Sequence, residues 1–132
     1  MDKVVYYERV STEEKDQVLA LERQTNELEE YINSQIEWDL VDKYVDKGKS
    51  GTSEYGRKQY QRLFEDLETD KFNIVVIKDM SRLNRDTLNW YKFIDRLVKN
   101  EKELFFYDDK TYYRPDDALL IGVRALIAAQ FK

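Results

Sequence analysis

The 132-residue sequence fits one domain, and 42% hydrophobic with 37% charged residues excludes both a disordered chain and a membrane span, since no apolar run approaches about 18 residues. With neither cysteine nor histidine, the chain has no disulfide framework, no Cys/His zinc site and no histidine to activate a serine in the hydrolase manner. A formal net charge of −5 argues against tight nonspecific nucleic-acid binding by this chain alone, and with no signal peptide at its start a reducing cytoplasm is expected.

Val4, Val5 and Tyr6 begin a strand that gives way to polar Ser11-Thr12-Glu13-Glu14, where Thr12 or Ser11 can cap a helix. Val18, Leu21, Thr25, Leu28 and Ile32 fall at helical spacing and predict an amphipathic helix over about 13–33. Trp38 to Val41 and Tyr44-Val45 predict a second strand. The basic stretch from Lys47 to Ser53 then reads as a mobile loop around Gly48 and Gly51. Tyr60, Leu63, Phe64 and Leu67 mark a helix ending near Asp70, and the unbroken apolar run Ile74 to Ile77 is that of a buried parallel strand. Past Lys78-Asp79-Met80, Ser81 can cap a helix whose core face is Leu88, Tyr91, Ile94, Leu97 and Val98. Leu104 to Tyr107 predict a fourth strand. Pro115 with Asp116-Asp117 resembles the opening turn of a last helix through Ile121, Ala125 and Ala129.

Strands alternating with helices predict an α/β fold, a three-layer αβα arrangement with a mostly parallel central sheet. Sites in such folds gather at the carboxyl ends of strands. Ser11 follows the first strand and the Arg82/Arg85 segment the third, so the two can meet along one edge.

A serine surrounded by arginines suits a phosphodiester, because a guanidinium presents a planar fork of donors matched to phosphate oxygens and stays charged at any working pH. Arg9 precedes Ser11 by two positions and shares its face of the pleat if extended geometry persists that far. The plainer reading is a rim arginine beside a capping serine. Arg82 and Arg85, three apart at a helix start, form an anion clamp there; cations at that end oppose the macrodipole by roughly 0.3–1 kcal/mol each, which a purely structural design would avoid. Arg57, just after the mobile loop, can reach a phosphate or simply face water. Gln24, flanked by Leu21 and Leu28, points inward to the site or outward to solvent. Lys47, Lys49 and Lys78 are weaker phosphate contacts. Asp108-Asp109 and Asp116-Asp117 fit loop and cap roles better than metal ligation, and the ten tyrosines fit core filling better than base stacking.

Three segments in order, Tyr7-Glu8-Arg9-Val10-Ser11-Thr12, then Ser50-Gly51-Thr52 with Arg57, then Ser81-Arg82-Leu83-Asn84-Arg85 directly after the strand Ile74 to Ile77, resemble the catalytic domain of the serine recombinases, the resolvase and invertase family. The likeness spans nearly the whole chain. It implies that Ser11 attacks a scissile DNA phosphate, is joined to the 5′ phosphate and releases a 3′ hydroxyl, with strand exchange and rejoining to follow and neither metal nor ATP required. It further implies that Arg9, Arg57, Arg82 and Arg85 bind the phosphate while Gln24 and Ser81 support the site. Residues 1–117 would be the catalytic domain and 118–132 the start of a long pairing helix. Double-stranded DNA sites would be gripped through a further C-terminal region, by a homodimer or tetramer, in a prokaryotic cytoplasm and without a membrane. Ser81 stands where smaller members often carry aspartate, Lys15 replaces a frequent glutamine, and the segment Lys15 to Ala20 is longer, all of which point to the large recombinases of phages and transposons. Two competing readings are a catalytically silent dimerisation or regulatory domain on the same fold and a nucleotide-binding α/β domain. The second would want a glycine-rich first crossover, and Ser11 to Lys15 contains no glycine.

Overall fold

A computed structural model describes residues 1–11, 15–48, 57–79, 87–114, 122, 125 and 127–129. Its elements are β1 (Asp2–Ser11), α1 (Lys15–Ser34), β2 (Trp38–Gly48), α2 (Lys58–Asp66), β3 (Ile74–Ile77), α3 (Thr87–Lys99), β4 (Glu103–Phe106) and β5 (Thr111–Tyr112). They form one five-stranded sheet in the order β2-β1-β3-β4-β5. The first four strands run parallel and β5 returns antiparallel to β4. The expected strand-helix alternation is present. β5 was not expected, because two residues after the polar turn Asp108-Asp109-Lys110 carry too little pattern to register.

Both faces of the sheet are covered, which explains the unbroken apolar runs. Val5, Tyr7, Tyr44, Val75, Ile77 and Leu104 pack against Leu63 and Leu67 of α2 and its exit and against Phe93, Ile94 and Leu97 of α3. Val4, Tyr6, Ile74, Val76 and Phe105 pack on the other side against Leu28 and Ile32 of α1. The expected α1 face holds at Leu28 and Ile32, while Thr25 is half-buried.

The expected second strand is present as β2, and a bulge lies within it. Val4 pairs with Leu40 but Val5 with Asp42, so Val41 is an extra residue, 39% exposed. Leu40 and Tyr44, four apart, would share a face in a regular strand. The inserted residue switches the parity, sending Leu40 to the α1 side and Tyr44 to the α2 side. Asp46, two further on, follows Tyr44 toward α2.

Just before that point, Asp42 ties β2 to α2 and its exit. Arg62 Nη1 donates to it at 2.8 Å and Lys71 Nζ at 2.5 Å, while the Arg62 guanidinium lies 4.0 Å from the centroid of the Tyr44 ring. Burial pushes the Asp42 carboxyl up, but the hydrogen bonds from Arg62 and Lys71 outweigh it and hold the group well below the usual carboxylate range.

Three fully buried tyrosines donate to carboxyls: Tyr6 to Glu29 at 2.5 Å, Tyr7 to Asp46 at 2.8 Å and Tyr44 to Asp66 at 2.6 Å. Burial, then the acidic acceptors, raise all three phenols well above their usual value, against some opposition from Arg57 at Tyr7 and Arg62 at Tyr44. Above about pH 10 the unfolded chain loses these protons while the native one keeps them, so stability falls as pH rises. Each phenol adds a slope of at most about 1.4 kcal/mol per pH unit, less where solvent reaches it. Denaturant titrations are expected to show little loss up to about pH 9 and a steep decline above pH 10; a flat profile across pH 9–11 would contradict these contacts.

Candidate active site

The carboxyl ends of β2, β1 and β3 lie side by side because the three strands are parallel and adjacent. β3 pairs with β1 only as far as Val76 opposite Tyr6, whereas β1 and β2 stay in register to Ser11 opposite Gly48. The end of this two-stranded arm projects about 16 Å beyond that last pairing, at roughly 3.3 Å per residue. Strand geometry therefore persists from Arg9 through Ser11, which is the condition for the two positions to share a face. That face is the one on which Tyr7 packs toward α2 and α3.

Arg57 stands at the same face, at the N-cap of α2, where its own side chain makes no capping bond and no acid occupies the first turn. Asp46 supplies the cap from β2 instead. Its Oδ1 accepts the backbone N–H of Gln59 at 2.8 Å and its Oδ2 that of Tyr60 at 3.0 Å, satisfying two of the donors that a helix start leaves open. The same Oδ2 accepts the Tyr7 hydroxyl, and Arg57 Nη2 reaches the Tyr7 oxygen at 3.4 Å, a long contact. The Arg57 guanidinium lies 4.2 Å from the Tyr60 ring centroid and 5.8 Å from that of Tyr7. Beside it opens a cavity of about 220 Å³, lined by Arg57, Tyr60, Gln61, Phe64, Asn89 and Lys92. Arg9 sits directly across the β1–β2 ladder from Asp46.

Arg9, Arg57 and the Ser11 position are thus brought to one side of the sheet. Gln24 is not among them. It is exposed on α1, the helix that covers the opposite face, and the polar residue next to it that turns inward is Thr25, whose hydroxyl donates to Glu8 at 2.6 Å. The helical period around Leu28 and Ile32 carries Thr25 toward the sheet and Gln24 away from it. Lys47 is exposed and Lys78 half-buried at the end of β3. Ser81, Arg82 and Arg85, with Lys49, Thr12 and Asp116-Asp117, lie outside the described residues. Asp108 and Asp109 are exposed in the β4–β5 turn, and among the described residues no group of three or more acidic side chains could hold a metal ion. Among those residues, too, no helix is long and apolar enough to cross a membrane.

A family model described as the N-terminal domain of resolvase matches residues 4–132. The chain belongs to the resolvase family. A resolvase family site-specific recombinase from Streptococcus pneumoniae is similar at 25% identity and a TM-score of 0.73, covering 99% of this chain and 89% of that one. The N-terminal catalytic domain of TP901-1 integrase is similar at 25% identity and a TM-score of 0.68, covering 98% and 96%. The catalytic domain of ISC1926 TnpA, an IS607-like serine recombinase, shares the fold at 24% identity and a TM-score of 0.64, covering 98% and 82%. Comparison with curated proteins returns no match. The expected α/β resolvase-like fold is therefore the observed one.

What the sequence reading of this resolvase domain missed is the support around Arg57: Tyr7, Asp46 and Tyr60. A signal existed. A carboxyl two residues from Tyr44 on a strand falls on an apolar face, where it must find donors. Asp46→Ala would leave the Tyr7 hydroxyl and two backbone N–H groups without their acceptor, an expected loss of about 3 kcal/mol in stability by denaturant unfolding. Asp46→Asn keeps one acceptor oxygen and is expected to cost less.

Proposed function

We propose that this chain is the catalytic domain of a site-specific DNA recombinase in which Ser11 is the nucleophile. The serine oxygen attacks the scissile phosphorus, the bond to the 3′ oxygen breaks, and that oxygen leaves as a hydroxyl while the strand stays attached to Ser11 through its 5′ phosphate. The serine proton is given up as the new ester forms, and reversal on a second end rejoins the strands. Arg9, Arg57, Arg82 and Arg85 neutralise the charge that grows on the phosphate oxygens, and Ser81 and Gln24 support the site, Gln24 from the α1 side. Positioning and charge stabilisation supply most of the rate in such a transfer. Duplex DNA sites are the substrate and a homodimer or tetramer the working assembly, in keeping with a charge of −5 that gives this chain little grip of its own; the helix expected over 118–132 lies largely outside the described residues.

The observation that supports this reading most directly is the register that carries β1 to Ser11 with Arg9 two positions behind, on the side where Arg57 stands. The test is direct. The full-length protein is incubated with DNA carrying its recombination site, trapped on a denaturing gel and digested with trypsin. Cleavage after Arg9 and Lys15 releases Val10-Ser11-Thr12-Glu13-Glu14-Lys15, and a nucleotide mass on Ser11 of that peptide is the expected result. Attachment at any other residue would overturn the assignment.

A further inference from the structure

Arg57 has to be held where electrostatics disfavour it. The start of α2 carries the positive end of a helix dipole, and the contact from Nη2 to the Tyr7 oxygen is long at 3.4 Å. The closest ring face offered to the guanidinium is that of Tyr60, with 4.2 Å from Cζ to its centroid, well inside the range of an effective cation–π contact. Tyr60 follows Arg57 by three residues, so its ring lies against the turn the arginine opens.

The ring of Tyr60 is itself fixed from three elements. Phe64, one turn along α2, lies nearly parallel at 6.3 Å and 12°. Phe93 of α3, fully buried, stacks at 6.0 Å and 29°. Tyr7 of β1 meets it edge-on at 5.9 Å and 71°. The backbone N–H of Tyr60 is anchored on Asp46. A ring so constrained cannot follow a mobile side chain, so the side chain settles on the ring.

We propose that Tyr60 is a positioning residue: its aromatic face presets the Arg57 guanidinium for the phosphate. The aromatic stack with Phe64 and Phe93 makes that preset depend on α3 being docked against α2. This inference rests on Arg57 being a phosphate ligand. Its chemistry requires the π face and not the phenol oxygen, which separates it from an ordinary packing role.

Tyr60→Phe and Tyr60→Met, the second similar in bulk but without a ring, are compared in the full-length protein for the single-turnover rate of covalent attachment at saturating DNA. Tyr60→Phe is expected within about 2-fold of the parent and Tyr60→Met about 5- to 30-fold slower, with apparent DNA affinity unchanged in both. In an Arg57→Ala background, Tyr60→Met is expected to add almost nothing, because the group it positions is gone. An equal loss in both backgrounds, or a Tyr60→Phe as slow as Tyr60→Met, would overturn the proposal in favour of simple packing. Ring-current shifts give a readout independent of catalysis: the Arg57 δ-methylene protons are expected upfield in the parent and in Tyr60→Phe. Absence of that shift in the parent refutes the contact even if Tyr60→Met fails to fold. Attachment through a residue other than Ser11 would instead fault the functional reading, while the shifts still decide whether Tyr60 holds Arg57.

Discussion

Ser11→Ala is expected to leave the protein folded and bound to its DNA site while covalent attachment and cleavage fall by about four orders of magnitude or more. The size follows from the chemistry, since removing a covalent nucleophile removes the route itself and not one contact along it. No histidine or cysteine is present to substitute. Folding should survive because the buried side chains described in β1 are Val4 to Tyr7, and position 11 lies four residues beyond them, opposite Gly48 on the projecting arm. Binding should survive because a chain of net charge −5 contributes little to neutralising the duplex. The measurement is a denaturing gel of protein mixed with nicked or intact site DNA, alongside a thermal melt and a gel shift of the same preparation. Protein-linked DNA persisting in the variant at parental levels would remove Ser11 from the mechanism.

How much of this was legible beforehand depended on whether a signal was local. Ile74 to Ile77 reads as a strand buried on both faces, and it is one, because four consecutive apolar residues have no amphipathic alternative at that length. The placement of β1 between β2 and β3, which brings the ends of three strands together, follows from pairing that no single segment encodes. The bulge at Val41 is a clearer case. Nothing in Leu40-Val41-Asp42 announces an extra residue, yet that residue decides that Asp46 faces α2 and caps it. Arg57 could be picked out by its place after a glycine-containing stretch, but its partners Tyr7 and Tyr60, and Asp46 that binds both of them, come from two strands and a helix and are contiguous only once folded. Gln24 illustrates the reverse. Its two apolar flanks left inward and outward placements both open, and the phase of the helix exposes it and gives the inward place to Thr25 one position later.

Lysine at position 57 or 9 is expected to reduce cleavage by about 10²- to 10³-fold, equivalent to about 2.7–4 kcal/mol of lost transition-state stabilisation, with little change in binding to the DNA site. Charge is conserved in both variants, so any loss reports geometry. A lysine ammonium is a point charge that cannot donate to two phosphate oxygens at once from a fixed plane. At position 57 it also forfeits the broad stacking surface that a guanidinium offers to the Tyr60 ring, and it would start from a shorter and freer side chain at a helix end that repels it. At position 9 the arginine stands across from Asp46 on the arm that ends at Ser11, where a shift of an ångström in the donor is a shift at the reacting phosphorus. The same substitution at Arg82 and Arg85 is expected to be comparably severe if they complete the phosphate clamp. Exposed charges behave otherwise, since Lys↔Arg exchange at a solvated surface changes such a rate by a few-fold at most. Single-turnover cleavage of all four variants at saturating DNA therefore separates the two possibilities. Losses of tenfold or less throughout would make these arginines surface charges, and an ordered loss concentrated at Arg9 and Arg57 would assign the phosphate to the β1–β2 arm and the start of α2.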